Sequence, residues 1–200
     1  MAQDDDLLPE NVEGYHVTEK KTIDEYTKLD AEDESLAKWK ASLGLTANGT
    51  PYPIKAGDKR TVVIVEMALI FPEDPNLADV VIPLEDKDGS TLEKNQIKFA
   101  VKEKSVYDIK IKFRVQHEII TGLRYLHSVK RAGIPVEKAD EPMGSYVPNT
   151  LEKPYYEKSL GATEAPSGII SRGLYSATTK FMDDDKTVHL EFPWSLQITK

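Results

Sequence analysis

The stretch 107-YDIKIKFRV-115 decides the fold, because apolar and polar side chains alternate along it without a break. One parity carries large apolar or aromatic side chains, namely Tyr107, Ile109, Ile111, Phe113 and Val115. The other parity carries charges, namely Asp108, Lys110, Lys112 and Arg114. Since successive side chains of a strand point to opposite faces of a sheet, the pattern predicts a strand with one buried face and one face in water.

The same period of two appears on both sides of this stretch. It predicts further strands at 61–71, 79–84, 97–101, 118–129, 168–181 and 187–199. Clusters of Pro, Gly, Asn and Asp separate these segments, and no helical pattern lies between them. Because parallel neighbours are usually joined by helical crossovers, we predict an all-β fold, an antiparallel β-sandwich of seven or more strands.

The chain before residue 61 has a different period. Thr22 and Glu25 have the spacing of a capping box, and Asp30 can cap a second run that stops at Gly44. We therefore predict two short helices, at about 22–29 and 31–43. Helices of this length are marginal alone because nucleation is costly, so we expect the arm that carries them to be flexible.

A linker follows this arm. The run 46-TANGTPYPIKAGD-58 is rich in Gly, Pro and Asn and shows no period. We thus divide the chain into an acidic arm with its linker, residues 1–60, and one domain, residues 61–200, whose length suits a single core.

The negative charge is concentrated in the arm. Residues 1–35 contain twelve acids and three lysines, a balance of −9, while the whole chain carries −8. Phosphates would repel such an arm, so the charge argues against a nucleic-acid partner. A basic protein partner, docking onto the chain's own domain and a solvated tail are three interpretations that stay open on composition alone.

The composition gives no sign of membrane spans or disulfides. No apolar run approaches the roughly 20 residues that a membrane-spanning helix needs, and the chain has no cysteine. We therefore expect neither a span nor a disulfide, and we expect the reducing environment of the cytoplasm.

The triplet 183-DDD-185 invites a metal-site interpretation, since Ca²⁺ and Mg²⁺ prefer carboxylate oxygens. Consecutive side chains of an extended chain diverge, however, and the spaced acids of a calcium loop are absent, so we favour a turn between two strands. The four histidines lack metal-ligand spacing. His189 falls on the solvent-facing parity of its strand, where we expect a surface position. No catalytic motif occurs, and we predict neither a metal site nor an enzyme.

The last strand places Phe192 and Trp194 on its dry face, with Pro193 between them. Proline cannot donate to a sheet ladder, so it predicts an edge or a bulge at this point. The two aromatics can be ordinary core or can line an opening between the sheets for an apolar ligand. The other residues of this parity are expected in the core: Val188, Leu190, Leu196 and Ile198.

Several long strings carry a resemblance to a known family. They are 32-EDESLAKWKASLG-44, 110-KIKFRVQHEIITGLRYLH-127, 143-MGSYVP-148, 164-EAPSG-168, 172-RGLYS-176 and 181-FMDDDKTVHLEFPWSLQI-198. These strings resemble the Rho GDP-dissociation inhibitors, in the same order and from about Tyr15 to the last residue.

The resemblance implies an immunoglobulin-like β-sandwich that shelters the geranylgeranyl group of a partner protein. It implies a 1:1 complex with prenylated Rho-family small GTPases, preferably GDP-bound, together with slower GDP release and extraction of the GTPase from membranes. Membranes would be contacted only transiently, and the location would be cytoplasmic. The lipid belongs to the partner, so the resemblance implies no cofactor.

The resemblance also assigns site residues. The lipid-binding positions are Leu69, Phe99, Tyr107, Ile119, Phe192 and Trp194. The GTPase-binding positions are Ile23, Leu29, Asp33, Ser35, Leu36 and Trp39 in the arm, and Asp184 and Asp185 in the acidic turn. Within the arm, the resemblance places Asp33 and Ser35 beside switch I of the GTPase.

Two alternative functions remain open. A general carrier of prenylated or acylated proteins would use the same sandwich without inhibiting the switch regions. A sandwich lectin or hydrolase would need an exposed polar-aromatic platform or a convergent pair of acids, and neither is evident in the sequence.

Overall fold

The computed structural model describes Leu7, residues 49–85 and residues 97–200. The two predicted arm helices, at 22–29 and 31–43, lie outside these residues. In the described part of the chain, no helix is long and apolar enough to cross a membrane.

Strands dominate the described residues. They are β1 (Val62–Ile70), β2 (Val80–Pro83), β3 (Lys98–Lys102), β4 (Val106–Val115), β5 (Ile120–Arg131), β6 (Ile134–Tyr146), β7 (Tyr156–Glu164), β8 (Gly173–Met182) and β9 (Val188–Thr199). One sheet has the order β2-β1-β4-β7 and the other has the order β3-β9-β8-β5-β6. The main apolar core takes side chains from both sheets, which confirms the predicted all-β sandwich.

One strand pair departs from the antiparallel prediction. β3 runs parallel to β9, with Phe99 opposite Leu196 and Val101 opposite Ile198. We expected only antiparallel neighbours because no helical crossover is present. Here the strands β4 to β8 lie between the two partners in sequence and make the crossover in place of a helix.

The strands β6 and β7 were not predicted. Among the described strands, each is the last of its sheet and pairs with one neighbour. The segment Ile134–Tyr146 is exposed over most of its length and contains two prolines, while Tyr156 is the only buried residue of β7. Edge strands that bury so little have no strong apolar alternation to reveal them.

The inner face of β4 confirms the predicted alternation, with Ile109, Ile111, Phe113 and Val115 all buried. Asp108 lies on the polar parity but is also buried. Its carboxylate accepts hydrogen bonds from the Ser159 hydroxyl and, at 3.0 Å, from the Gly161 N–H, both on β7. The buried charge is therefore held by partners on the neighbouring strand.

The start of β9 breaks the predicted parity. Val188 is 46% exposed, although we placed it in the core, and the His189 side chain is only 3% exposed, although we placed it at the surface. The cause is a β-bulge: Phe181 faces Leu190 but Met182 faces Val188, so His189 is an extra residue. An extra residue shifts every side chain before it to the opposite face.

The remainder of β9 agrees with the prediction, since Phe192, Trp194, Leu196 and Ile198 are buried and Leu190 is partly buried. Among the described residues, β3 pairs with β9 only from Ser195 onward. Among the described strands, Pro193 therefore has a partner on the β8 side only, as its missing N–H predicted.

The acidic triplet forms the predicted turn between β8 and β9. Asp183 is 4% exposed; its carboxylate accepts the Thr187 N–H at 2.9 Å and lies 3.0 Å from Nε2 of His189. Among the residues that the structure describes, no group of three His, Cys, Asp or Glu side chains is arranged to hold a metal. Asp183 thus closes the turn.

Candidate functional site

The two sheets leave a cavity of about 240 Å³ between their edge strands. β7 ends one sheet and β6 ends the other, and both contribute to the cavity wall. The lining includes Tyr107 and Ile109 of β4, Tyr125 and His127 of β5, Glu137 and Ala139 of β6, and Leu160 of β7. The cavity therefore lies along the side of the sandwich where, among the described strands, none pairs with the outer edge of β6 or β7.

A bulge in β7 shapes this wall. Lys110 faces Ser159 and Asp108 faces Ala162, so β7 has one residue more than β4 over this interval. Gly161 has a φ of 102°, a conformation that glycine adopts without strain, and its N–H is bound by Asp108. The bulge bends the edge strand at the point where it lines the cavity, which is a common position for bulges near sites.

A chain of hydrogen bonds runs from the core to the cavity. The Trp194 Nε1–H donates to Oγ1 of Thr179 at 2.9 Å, and the Thr179 hydroxyl donates to the Tyr125 hydroxyl at 3.3 Å. The Tyr125 oxygen lies 3.0 Å from Nδ1 of His127, whose Nε2 lies 3.3 Å from Oε1 of Glu137. Since the Thr179 proton goes to Tyr125, the Tyr125 hydroxyl is able to donate its own proton to Nδ1, in which case a neutral His127 carries its proton on Nε2 toward Glu137.

Burial and hydrogen bonding set the pKa values of three groups in the cavity wall. Burial raises the pKa of Tyr107 to about 12, and burial also raises the pKa of Tyr125 despite an opposing hydrogen bond from Thr179. The hydrogen bond from His127 holds the pKa of Glu137 below its usual value. At neutral pH both phenols are therefore uncharged, and Glu137 contributes a carboxylate at the rim.

The predicted lipid-binding residues fall into two groups. Tyr107 lines the cavity, and Trp194 is joined to the cavity wall by the hydrogen bonds through Thr179. Phe99 packs edge-to-face on Trp194, with ring centroids 5.5 Å apart. The other three, Leu69, Ile119 and Phe192, are buried but do not line this cavity.

Two of the predicted GTPase-binding residues are described. Asp185 is exposed, and Asp184 is half-buried with its N–H bound to the Thr121 carbonyl at 3.2 Å. The Asp184 carboxylate fills the space over Gly122, because a Cβ built on that glycine would lie 2.0 Å from it. The arm positions lie outside the described residues: Ile23, Leu29, Asp33, Ser35, Leu36 and Trp39.

The sequence reasoning missed several residues of the cavity. Tyr125 and His127 fall on one parity of β5, which identified a strand face but not a polar network. Glu137 and Leu160 lie on the two edge strands that were not predicted. Thr179 is polar but fully buried. In the sequence, its position on the inward parity of β8 was the only sign of this burial.

Comparisons with known proteins give a consistent result. The family model described as RHO protein GDP dissociation inhibitor matches residues 2–200. The Rho GDP-dissociation inhibitor of Saccharomyces cerevisiae is 50% identical over 191 residues, which cover 95% of this chain and 92% of that protein. The Schizosaccharomyces pombe protein of the same name is 46% identical over 187 residues, covering 91% and 84%. Human Rho GDP-dissociation inhibitor 1 is 37% identical over 188 residues, covering 93% and 85%.

Proposed function

We propose that this chain, which belongs to the Rho GDP-dissociation inhibitor family, binds prenylated Rho-family GTPases in their GDP-bound form. It then extracts these GTPases from membranes. The complex is one-to-one, and the chain slows the release of GDP. The sandwich shelters the geranylgeranyl group of the GTPase, so the chain requires no cofactor. The extracted complex resides in the cytoplasm.

The observation that carries this proposal is the cavity between the edge strands β6 and β7. Ile109 and Leu160 give it apolar surface, and Tyr107 adds an aromatic ring. The polar atoms of Tyr125 and His127 are already bonded within the network that begins at Trp194. A hydrocarbon chain that enters therefore leaves these polar groups satisfied and avoids the cost of stranding them.

The size of the cavity implies a movement of the core. Ligand pockets usually measure ~300–1,000 Å³, and this one measures about 240 Å³. A 20-carbon group therefore needs additional space, which separation of the packed side chains next to the cavity can provide. We assign this role to the other predicted lipid-binding residues: Leu69, Phe99, Ile119, Phe192 and Trp194.

The energy available is sufficient for such a movement. Burial stabilises by about 0.8 kcal/mol per CH₂-sized group, so 20 carbons contribute well over ~10 kcal/mol before costs are subtracted. The same chain gains a comparable energy in a bilayer, so extraction also needs contacts with the protein part of the GTPase.

Those contacts are assigned to the arm and the acidic turn. Asp33 and Ser35 reach the switch I side of the GTPase and favour the closed loop that retains GDP. An apolar stripe docks beside them, formed by Ile23, Leu29, Leu36 and Trp39. The carboxylates of Asp184 and Asp185 attract a basic surface of the GTPase.

A liposome extraction assay tests the proposal. We expect the chain to release geranylgeranylated, GDP-loaded Rho-type GTPase from liposomes, and to bind the same GTPase much more weakly when it lacks the lipid. Equal binding of both forms would contradict the role of the cavity. Deletion of residues 1–44 is expected to remove the inhibition of GDP release and spare lipid binding. If extraction proceeds with no effect on GDP release by the full chain, the chain is a general carrier of lipidated proteins.

A further inference from the structure

Two adjacent isoleucines project into solvent from the loop that joins β7 to β8. Ile169 and Ile170 are each 85% exposed, more than any other large apolar side chain among the described residues. Ile134, on the β5–β6 hairpin, is 67% exposed, and its strand partner Arg131 contacts the loop. Single exposed apolar residues are ordinary, but neighbouring ones mark contact surfaces.

Hydrogen bonds hold the loop in this exposed conformation. Arg131 donates to the Ile170 carbonyl and, at 2.8 Å, to the Arg172 carbonyl. The Arg172 guanidinium makes two bonds to the Glu103 carboxylate, at 2.6 and 3.0 Å, and Glu103 also accepts the Gly168 N–H at 2.9 Å. The loop is therefore braced from both sides, and the two isoleucines are presented by a fixed backbone.

The charge around this loop is opposite to that of the chain. We define the tip as residues 102–105, 130–134 and 164–172, which these hydrogen bonds and the β5–β6 turn bring together. The tip contains two acids, Glu103 and Glu164, and five cations: Lys102, Lys104, Lys130, Arg131 and Arg172. Its balance is +3, whereas the whole chain carries −8.

The tip also adjoins the cavity. Residues 160–163 line the cavity, and β7 ends directly afterwards at Glu164, from which the chain enters the loop. On the other side, the hairpin at 130–134 joins the two strands that carry His127 and Glu137 of the cavity wall.

We propose that the tip is a membrane-contact site, in which Ile169 and Ile170 insert among the headgroups of an anionic lipid surface and the surrounding lysines contact the phosphates, while Arg131 and Arg172 hold the loop in place. Apolar side chains flanked by cations bind such interfaces by burying the former and pairing the latter. The purpose of the contact rests on the proposed function, since a protein that withdraws a lipid chain must bring its cavity to the membrane.

The form of the tip favours a lipid surface over a folded protein partner. A stable protein interface buries ~800 Å² on each partner and usually has an aromatic centre. Here the apolar surface consists of protruding aliphatic side chains with cations beside them. Long cationic side chains reach phosphates from such positions while their methylene groups stay in the interface.

Sedimentation of the full-length chain with lipid vesicles tests this inference. The vesicles contain phosphatidylcholine alone or with about 30 mol% phosphatidylserine. We expect binding only to the anionic vesicles, with the bound-to-free ratio about tenfold lower for the double variant Ile169→Ser/Ile170→Ser. Lys102→Glu/Lys104→Glu is expected to lower binding to the phosphatidylserine vesicles to the level found with phosphatidylcholine alone. The matched control Val81→Ser/Leu151→Ser removes two other exposed aliphatic side chains, 52% and 53% exposed, and is expected to bind as the wild type.

Wild-type binding that the isoleucine variant retains in full would overturn the inference, and so would the absence of wild-type binding. If this variant keeps vesicle binding but loses affinity for GTPase in solution, the tip is a protein contact instead. The vesicles contain no GTPase, so a failure of this inference is measured separately from a failure of the proposed function. In the latter case the wild-type chain would not extract lipidated GTPase.

Discussion

Trp194 donates its indole N–H to the hydroxyl of Thr179 across 2.9 Å in the buried space between the sheets. The Thr179 hydroxyl in turn donates to the hydroxyl of Tyr125, which lines the cavity. The orientation of the large aromatic on the last strand is therefore coupled to the wall of the cavity. This coupling predicts effects of small substitutions far from the cavity opening.

Thr179→Val keeps the shape of the side chain but leaves the Trp194 N–H without its acceptor. We expect a loss of about 1–3 kcal/mol in the free energy of unfolding, because the orphaned donor is buried. Urea unfolding followed by fluorescence measures the loss. Thr178→Val is the control, since Thr178 lies on the opposite parity and is only half-buried; equal losses in both variants would remove the special role of Thr179.

Ala139→Trp should fill the cavity from the edge strand β6. Because Ala139 lines the cavity and β6 ends its sheet in the described part of the chain, we expect the variant to fold and to lose lipid extraction by at least about tenfold. The comparison is Lys138→Trp, whose neighbouring position is exposed on the other face and should leave extraction unchanged. Normal extraction by Ala139→Trp would show that the lipid binds elsewhere.

The pairing of Glu137 with His127 predicts a pH dependence of stability. The folded-state pKa of Glu137 is lowered, so its contribution is present at neutral pH and is lost as the pH falls through that lowered value. The side chain is 57% exposed, and we therefore expect less than about 1 kcal/mol.

Glu137→Gln tests this dependence by urea unfolding at several pH values. The variant should be less stable than the wild type at pH ~7, and the difference should vanish in acid as the wild-type carboxyl is protonated. Glu141→Gln, exposed on the same strand, serves as the control. A difference that persists unchanged in acid would mean that the charge of Glu137 is not responsible.

Gly122→Ala is expected to disturb the acidic turn. The φ of Gly122 is 58°, and an added Cβ would lie 2.0 Å from the Asp184 carboxylate, so the turn must shift. We expect a loss of about 1–3 kcal/mol and weaker binding of the GTPase. Gly133→Ala has a similar φ of 81° but open space around it, so it reports the backbone cost alone. Equal effects of the two substitutions would exclude a role for the contact with Asp184.

The strands that bury one face were predictable because their patterns repeat the geometry of a sheet. β4 and the end of β9 each place apolar side chains on one parity, and both are packed on both sides by neighbours. The edge strands β6 and β7 could not be predicted in this way, since they bury little and their polar residues show no period of two. A single bulge at His189 was enough to invert the prediction for Val188.

The candidate site was less predictable than the fold. Its hydrogen bonds join Thr179 to Tyr125, 54 residues away, and His127 to Glu137 on an unpredicted strand. Such pairs depend on which strands become neighbours, and local patterns do not contain that information. Tyr107 and Trp194 were nevertheless singled out through the family resemblance. In the structure Tyr107 lines the cavity, and Trp194 is hydrogen-bonded through Thr179 to Tyr125 in the cavity wall.

Photo-crosslinking tests the central claim most directly. A Rho-type GTPase carrying a geranylgeranyl analogue with a photoreactive group near its end is mixed with the full-length chain, irradiated and mapped by mass spectrometry. We predict that the crosslinks fall on inward-facing residues around the cavity, on Tyr107, Leu160 and the region of Trp194. Crosslinks confined to the outer faces of the sheets, or to residues 1–60, would contradict the claim that the lipid lies between the sheets.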